Sequence, residues 1–221
     1  MSTNTKRLSQ IAFVALISII LSGALYFELK PKPTTPETPV ILNDYGLKPD
    51  FTLPSIDGSN FTLYSSNGKA RLVTFIYTKC ADGECNLLTA NMASTMSQLQ
   101  AANLTDHVQF VTIDFDYLFD NITDLTNYAN TYSQPSYPWV FLQGGKNQTD
   151  TITQAWNFYF NLTSPPNTNA TSNVQIGDFE YQHSLLVYVL DASSHLQYYL
   201  TGSDWSPNFA VRVIKKVLEL P

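Results

Sequence analysis

Two cysteines stand in the octet Thr78-Lys79-Cys80-Ala81-Asp82-Gly83-Glu84-Cys85, five positions apart, and the sequence holds no others. A thiol pair so spaced either closes a small disulfide or holds a soft metal through its thiolates. As a structural staple it would achieve little. Closing so short a loop removes little unfolded-state entropy, at most roughly 2 kcal/mol on the loop-length scaling. Two thiols placed together, with none elsewhere, point to chemistry instead.

The flanking sequence predicts how the thiols are held. Leu72-Val73-Thr74-Phe75-Ile76-Tyr77 is an apolar, β-rich run leading into the pair, and a helical pattern starts near Asn86. The cysteines then lie on a strand-to-helix loop, with Cys85 near the helix N-terminus. The helix dipole there favours thiolate, so Cys85 is expected to gain nucleophilicity and metal affinity.

A third donor must come from elsewhere. Of three histidines, His107 opens a strand after Asp106 and reads as a surface or capping residue. His195 falls in the turn Asp191–Leu196 and reads as solvent-exposed. His183, in Tyr181-Gln182-His183-Ser184, precedes the apolar run Leu185–Leu190, where a strand edge brings its ring toward the cysteine loop. Two thiolates and one imidazole make a soft, low-coordinate site suited to Cu(I), with Cu(II) as its second state. Zinc would normally take a fourth ligand, which the sequence does not offer in an obvious place.

Composition narrows the context. The 221 residues carry a formal net charge of −6 with only 14% charged residues, so no basic surface suits nucleic acid. Hydrophobic residues make up 44%, enough for a real core. Leu8 to Phe27 is an uncharged apolar run of 20 residues, preceded by Lys6 and Arg7. Its length matches a bilayer core, and the basic flank places the N-terminus in the cytoplasm. The expectation is therefore a cytoplasmic stretch 1–7 and a single-pass anchor 8–29, with the rest on the extracytoplasmic side of the cell membrane. A cleaved signal peptide is the rival reading, with Ser22-Gly23-Ala24 as a small-residue site. Residues 30–42 form a linker, with four prolines between Lys30 and Pro39 that keep it extended.

Residues 43–221 read as one folded domain. Phe51-Thr52-Leu53 and Phe61-Thr62-Leu63 flank Asp57-Gly58 as a hairpin. Leu88, Met92, Met96 and Leu99 recur at helical spacing, and the methionines read as core rather than as metal ligands. Val108–Asp114 reads as a strand, Asp120–Tyr132 as a helix and Tyr137–Leu142 as a third apolar stretch. Thr153–Phe160 reads as a short helix and Asn161–Val174 as an exposed loop. A β-hairpin over Leu185–Leu200 follows. Ser206-Pro207 caps a last helix with Phe209, Val213, Ile214, Val217 and Leu218 on its apolar stripe. This order predicts an α/β fold: a central mixed β-sheet flanked by helices, an N-terminal β-hairpin and one N-terminal transmembrane helix. A strand, cysteine loop and helix at the first long βα junction is the thioredoxin-like arrangement. Six Asn-X-Thr sequons, at Asn60, Asn103, Asn121, Asn147, Asn161 and Asn169, agree with an external glycoprotein.

The residues resemble the SCO/SenC copper-chaperone family. The likeness rests on Tyr77-Thr78-Lys79-Cys80 through Cys85, then His183-Ser184 and Tyr188-Val189-Leu190-Asp191 downstream. Pro49-Asp50-Phe51-Thr52-Leu53, Thr112-Ile113-Asp114 and the anchor extend it over roughly Lys48–Leu218. The resemblance implies a thioredoxin-like fold that binds copper through Cys80, Cys85 and His183 and helps assemble the copper centre of a terminal oxidase. Its partner would be a copper-accepting oxidase subunit or another copper protein. The chain departs from the family in three places. Four residues rather than three separate the cysteines, Ala81 and Asn86 replace the prolines that follow each cysteine, and Asp114-Phe115 replaces aspartate-proline.

Three other classes compete. A membrane-anchored thiol–disulfide oxidoreductase would use Cys80 and Cys85 as a redox dithiol, but such enzymes favour two intervening residues and a cis-proline, and no proline lies between Pro166 and Pro207. A peroxiredoxin-type peroxidase would want a threonine three residues before its cysteine and an activating arginine. Here Thr78 is two before Cys80, and Arg71 precedes the strand. A non-catalytic surface domain would not need the paired thiols.

Overall fold

The computed structural model of the chain describes residues 39–164 and 175–220. The expected anchor, most of the linker and the sequon at Asn169 lie outside them. Among the described residues no helix is long and apolar enough to cross a membrane. From Val40 onward the chain forms one compact unit. Val40 and Leu42 already pack against its core.

The expected hairpin pairs β1 (Thr52–Pro54) with β2 (Asn60–Thr62). Its turn is set by Asp57, whose Oδ1 accepts the Ser59 amide at 2.9 Å, and by Gly58 at φ +83°. The apolar run forms β3 (Ala70–Ile76), which pairs in parallel with β4 (Val108–Asp114) and antiparallel with β8 (Leu186–Leu190). All seven β3 residues are buried, as a strand flanked on both edges and covered on both faces requires. With β5 (Trp139–Gln143) and β9 (Leu196–Thr201) the sheet order is β5-β4-β3-β8-β9.

Helix α1 (Glu84–Ala101) buries Leu88, Met92, Met96 and Leu99 completely, so both methionines are core. Helix α2 (Ile122–Tyr132) begins at Asn121, which forms a capping box with Asp124. The last helix, α4 (Pro207–Val217), packs against α1. Ser206 Oγ accepts the Phe209 amide, as the Ser-Pro signature predicts. This is the expected thioredoxin-like arrangement of a mixed sheet flanked by helices.

Three expectations change. Helix α3 spans Lys146–Ala155, not Thr153–Phe160. Gln148 Oε1 accepts the Gly145 amide to start it, and Asn157 at φ +55° lies just beyond its end. Phe158 and Phe160 then enter an aromatic layer under the sheet, with Phe158 stacked on Phe75 at 4.6 Å between centroids. Part of the supposed loop Asn161–Val174 is strand β6 (Phe160–Ser164), paired antiparallel with β7 (Glu180–His183). The polar composition obscured a strand that Phe160, Leu162 and Tyr181 tie to the core. His195 is half-buried rather than exposed, bridging to Leu47 and bonding Asp44 through Nδ1 at 3.0 Å. His107 is exposed, as read.

Candidate metal centre

The cysteine loop leaves the C-terminal end of β3 and is fastened from below. Thr78 donates its amide and hydroxyl to Asp120 at 2.5 and 2.6 Å, and Lys79 Nζ bonds Asp120 and Asp124 at 2.6 Å each. Asp120 is fully buried at its side chain, so this bidentate grip replaces its lost hydration. Gly83, at φ +76°, turns the chain into α1. A side chain there would meet no atom within 4 Å, so conformation, not space, calls for glycine. The opening of α1 is held by Thr89 and Tyr128, whose hydroxyls both donate to the Cys85 carbonyl.

β7 delivers the third donor. Phe160 and His183 are register partners across the β6–β7 hairpin. The imidazole packs edge-on to Tyr77 at 5.5 Å and against Phe115 at 5.5 Å. Its Nδ1 lies 2.9 Å from the Ser184 carbonyl. A carbonyl only accepts, so Nδ1 carries the proton and the Nε2 lone pair is left for the sulfurs. Nε2 lies 3.8 Å from Cys85 Sγ, and the donor atoms of Cys80, Cys85 and His183 all fall within 4.8 Å of one another. Both cysteines are free thiols and buried, at 2% and 0% exposure. The structure thus brings together the three residues singled out in the sequence, and His107 and His195 do not join them.

The thiols are electrostatically unequal, in the opposite sense to the expectation. The helix-terminal amide of Cys85 points at Cys80 Sγ, 3.3 Å away, rather than serving its own side chain. The Cys80 pKa is pushed down to about 6, chiefly by a hydrogen bond from the Cys85 thiol and, against burial, by His183. Burial raises Cys85 well above the ordinary thiol range, and the neighbouring Cys80 adds to this. Burial opposes the charged form of His183, but hydrogen bonds with Cys80 and the Ser184 carbonyl and the nearby charges of Cys80 and Asp82 together outweigh this and raise its pKa. The nucleophile at neutral pH is therefore Cys80. In the metal-free chain its alkylation by iodoacetamide is expected to rise through a midpoint near pH 6 and level off above it, because only the thiolate reacts. Cys85 should stay unmodified until alkaline pH. Peptide mass analysis across pH measures both, and a shared midpoint near the ordinary value of about 8.5 would contradict the assignment.

Sequence reasoning passed over Asp82 and the Lys79–Asp120 anchor. Asp82 Oδ1 accepts the Cys80 thiol at 2.9 Å and the Glu84 amide at 3.0 Å. An Asp-Gly pair just ahead of a helix was the available signal. Arg71 lies within β3, donating to the Ser66 and Ala192 carbonyls and the Ser194 hydroxyl. It is at the opposite end of that strand from Cys80, which removes the activating arginine a peroxidase would need.

The donor set fits copper cargo. Two sulfurs and one imidazole nitrogen, converging with no fourth His, Cys, Asp or Glu in the cluster among the described residues, suit a soft, low-coordinate ion.

Comparison with known proteins agrees. The family model described as SCO1/SenC matches residues 42–219. A SCO1 protein homolog from Bacillus subtilis (strain 168) is 32% identical over 101 residues, covering 46% of this chain and 50% of that protein. The chain thus spans about half the length of that curated relative. Arabidopsis thaliana ScoI with copper bound superposes with a TM-score of 0.64 at 17% identity, covering 79% of this chain and 99% of that one. BsSco, described as a member of the Sco family of cytochrome c oxidase assembly proteins, superposes with a TM-score of 0.62 at 21% identity over 82% and 99%. At such identities the superpositions show the shared fold, while the family match covers most of the sequence. The chain is a member of the SCO1/SenC family.

Proposed function

We propose that this protein is a membrane-anchored, extracytoplasmic copper carrier that holds one Cu(I) on Cys80, Cys85 and His183 and passes it to the copper centre of a terminal oxidase. The observation that carries this reading is the convergence of those three donors, from a β3–α1 loop and a distant hairpin, within 4.8 Å. The copper-bound state of a relative and the oxidase-assembly role of another support it by kinship.

Each residue has a separate task. Cys80, already thiolate near neutral pH, captures the ion first. Cys85 must shed a proton to bind, which the arriving cation makes favourable. His183, oriented by the Ser184 carbonyl, closes the set with a neutral donor. A low-coordinate site leaves room for an incoming ligand of the acceptor, so release proceeds by ligand exchange. The apolar run Leu8–Phe27 would serve as the anchor. Glycans would sit on Asn60, Asn103, Asn147 and Asn161, all exposed, whereas the Asn121 side chain is engaged in the α2 cap.

The inequality of the thiols favours a second reading, a thiol–disulfide oxidoreductase with Cys80 as the attacking group. His183→Ala separates the two. Carriage of copper predicts a fall in Cu(I) affinity of at least about tenfold, roughly 1.4 kcal/mol, in a competition titration. The Cys80–Cys85 pair should still oxidise and be reduced. If the variant binds copper normally but loses dithiol exchange, the oxidoreductase reading replaces the carrier. If neither property changes, His183 is a packing residue.

A further inference from the structure

We infer that Asp82 sets the preference of this site between the two oxidation states of copper, by supplying a carboxylate that favours Cu(II) over Cu(I). The inference rests on the copper reading above and concerns a residue outside the three-donor cluster.

Asp82 lies on the solvent side of the thiol pair. It is exposed, while Cys80 beneath it is almost wholly buried. Its Oδ1 is 2.9 Å from Cys80 Sγ. It also lines, with Glu84, Glu180, Gln182 and His183, an open cavity of about 450 Å³ that reaches the third donor. As an exposed aspartate it carries a negative charge at neutral pH.

Charge and hardness then act in the same direction. Two thiolates overbalance Cu(I) by one negative charge and just neutralise Cu(II). A further carboxylate repels the first assembly and not the second. Cu(I) is satisfied by soft, low-coordinate donors, whereas Cu(II) takes a fourth ligand and accepts oxygen. Asp82 Oδ1 already stands at contact distance from one of the two sulfurs, on the exposed side of the loop. Glu84 borders the same cavity but is engaged by the Ser203 hydroxyl, so it provides a matched control.

The test compares full-length wild type, Asp82→Asn and Glu84→Gln, with Cu(I) and Cu(II) affinities each measured by chelator competition without oxygen. Asparagine keeps the Oδ1 acceptor for the Glu84 amide, so the loop is preserved, and an unchanged thermal midpoint verifies this. Asp82→Asn is expected to lose at least tenfold in Cu(II) affinity while Cu(I) affinity holds or rises. The reduction potential of the bound copper would then rise by at least about 59 mV, the one-electron equivalent of a tenfold change. Glu84→Gln should match wild type. Parallel losses for both ions would show Asp82 to be only a brace for the loop, and no change in either would remove it from the site. Both results overturn the inference while leaving the copper reading intact. If wild type bound neither ion, the copper reading itself would fail.

Discussion

Replacing Cys80 with serine is expected to weaken Cu(I) binding by about three orders of magnitude, or about 4 kcal/mol. Serine offers a hard hydroxyl that stays protonated where the Cys80 thiol, with its pKa pushed down to about 6, is already an anion. The variant would be left with one thiolate, at Cys85, whose burial resists the charge that ligation needs. The substitution is nearly isosteric, and the loop keeps its fastening through Asp120 and Lys79, so folding should survive. Competition against a Cu(I) chelator measures the loss. An affinity within tenfold of wild type would place the copper elsewhere.

Oxidation should have a larger effect still. Joining the two sulfurs removes two electrons and both ligating thiolates at once. A dithiol oxidant such as diamide is expected to take the chain from one bound Cu(I) to nearly none, and a dithiol reductant should restore it. The two sulfurs lie within 4.8 Å, on a loop whose glycine already occupies the left-handed region. Copper stoichiometry before and after quantitative oxidation, with free thiols counted in parallel, is the measurement. Tight Cu(I) binding that persisted in the fully oxidised protein would sink the three-ligand account.

The sheet and its helices were legible because their apolar residues cluster or recur at a helical period. β3 and β4 are dominated by Leu72, Val73, Phe75 and Ile76 and by Val108, Phe110, Val111 and Ile113, and α1 repeats Leu88, Met92, Met96 and Leu99 on one face. The Asp57-Gly58 hairpin and Ser206-Pro207 cap were legible because turn and cap chemistry is local. The β6–β7 hairpin was not. Its strands are short, β6 carries Asn, Thr and Ser and β7 alternates polar residues around Tyr181, so only their contacts with Phe115 and Tyr77 reveal them. That hairpin positions His183, so the histidine could be chosen from the sequence while the element carrying it could not. The polarity of the thiols was hidden for a similar reason. Helix spacing placed Cys85 at an N-terminus, but only the folded loop directs its amide at Cys80 Sγ and leaves Cys85 itself fully buried.

The central claim is that one copper is held by two sulfurs and one imidazole from residues 98 positions apart in the chain. Copper K-edge absorption of the reduced, Cu(I)-loaded protein tests it most directly, because it counts the ligand atoms themselves. The account predicts two sulfur neighbours and one imidazole nitrogen, with one sulfur lost in Cys85→Ser and the imidazole signal lost in His183→Ala. A spectrum without sulfur neighbours, or one unaltered by both substitutions, would contradict it.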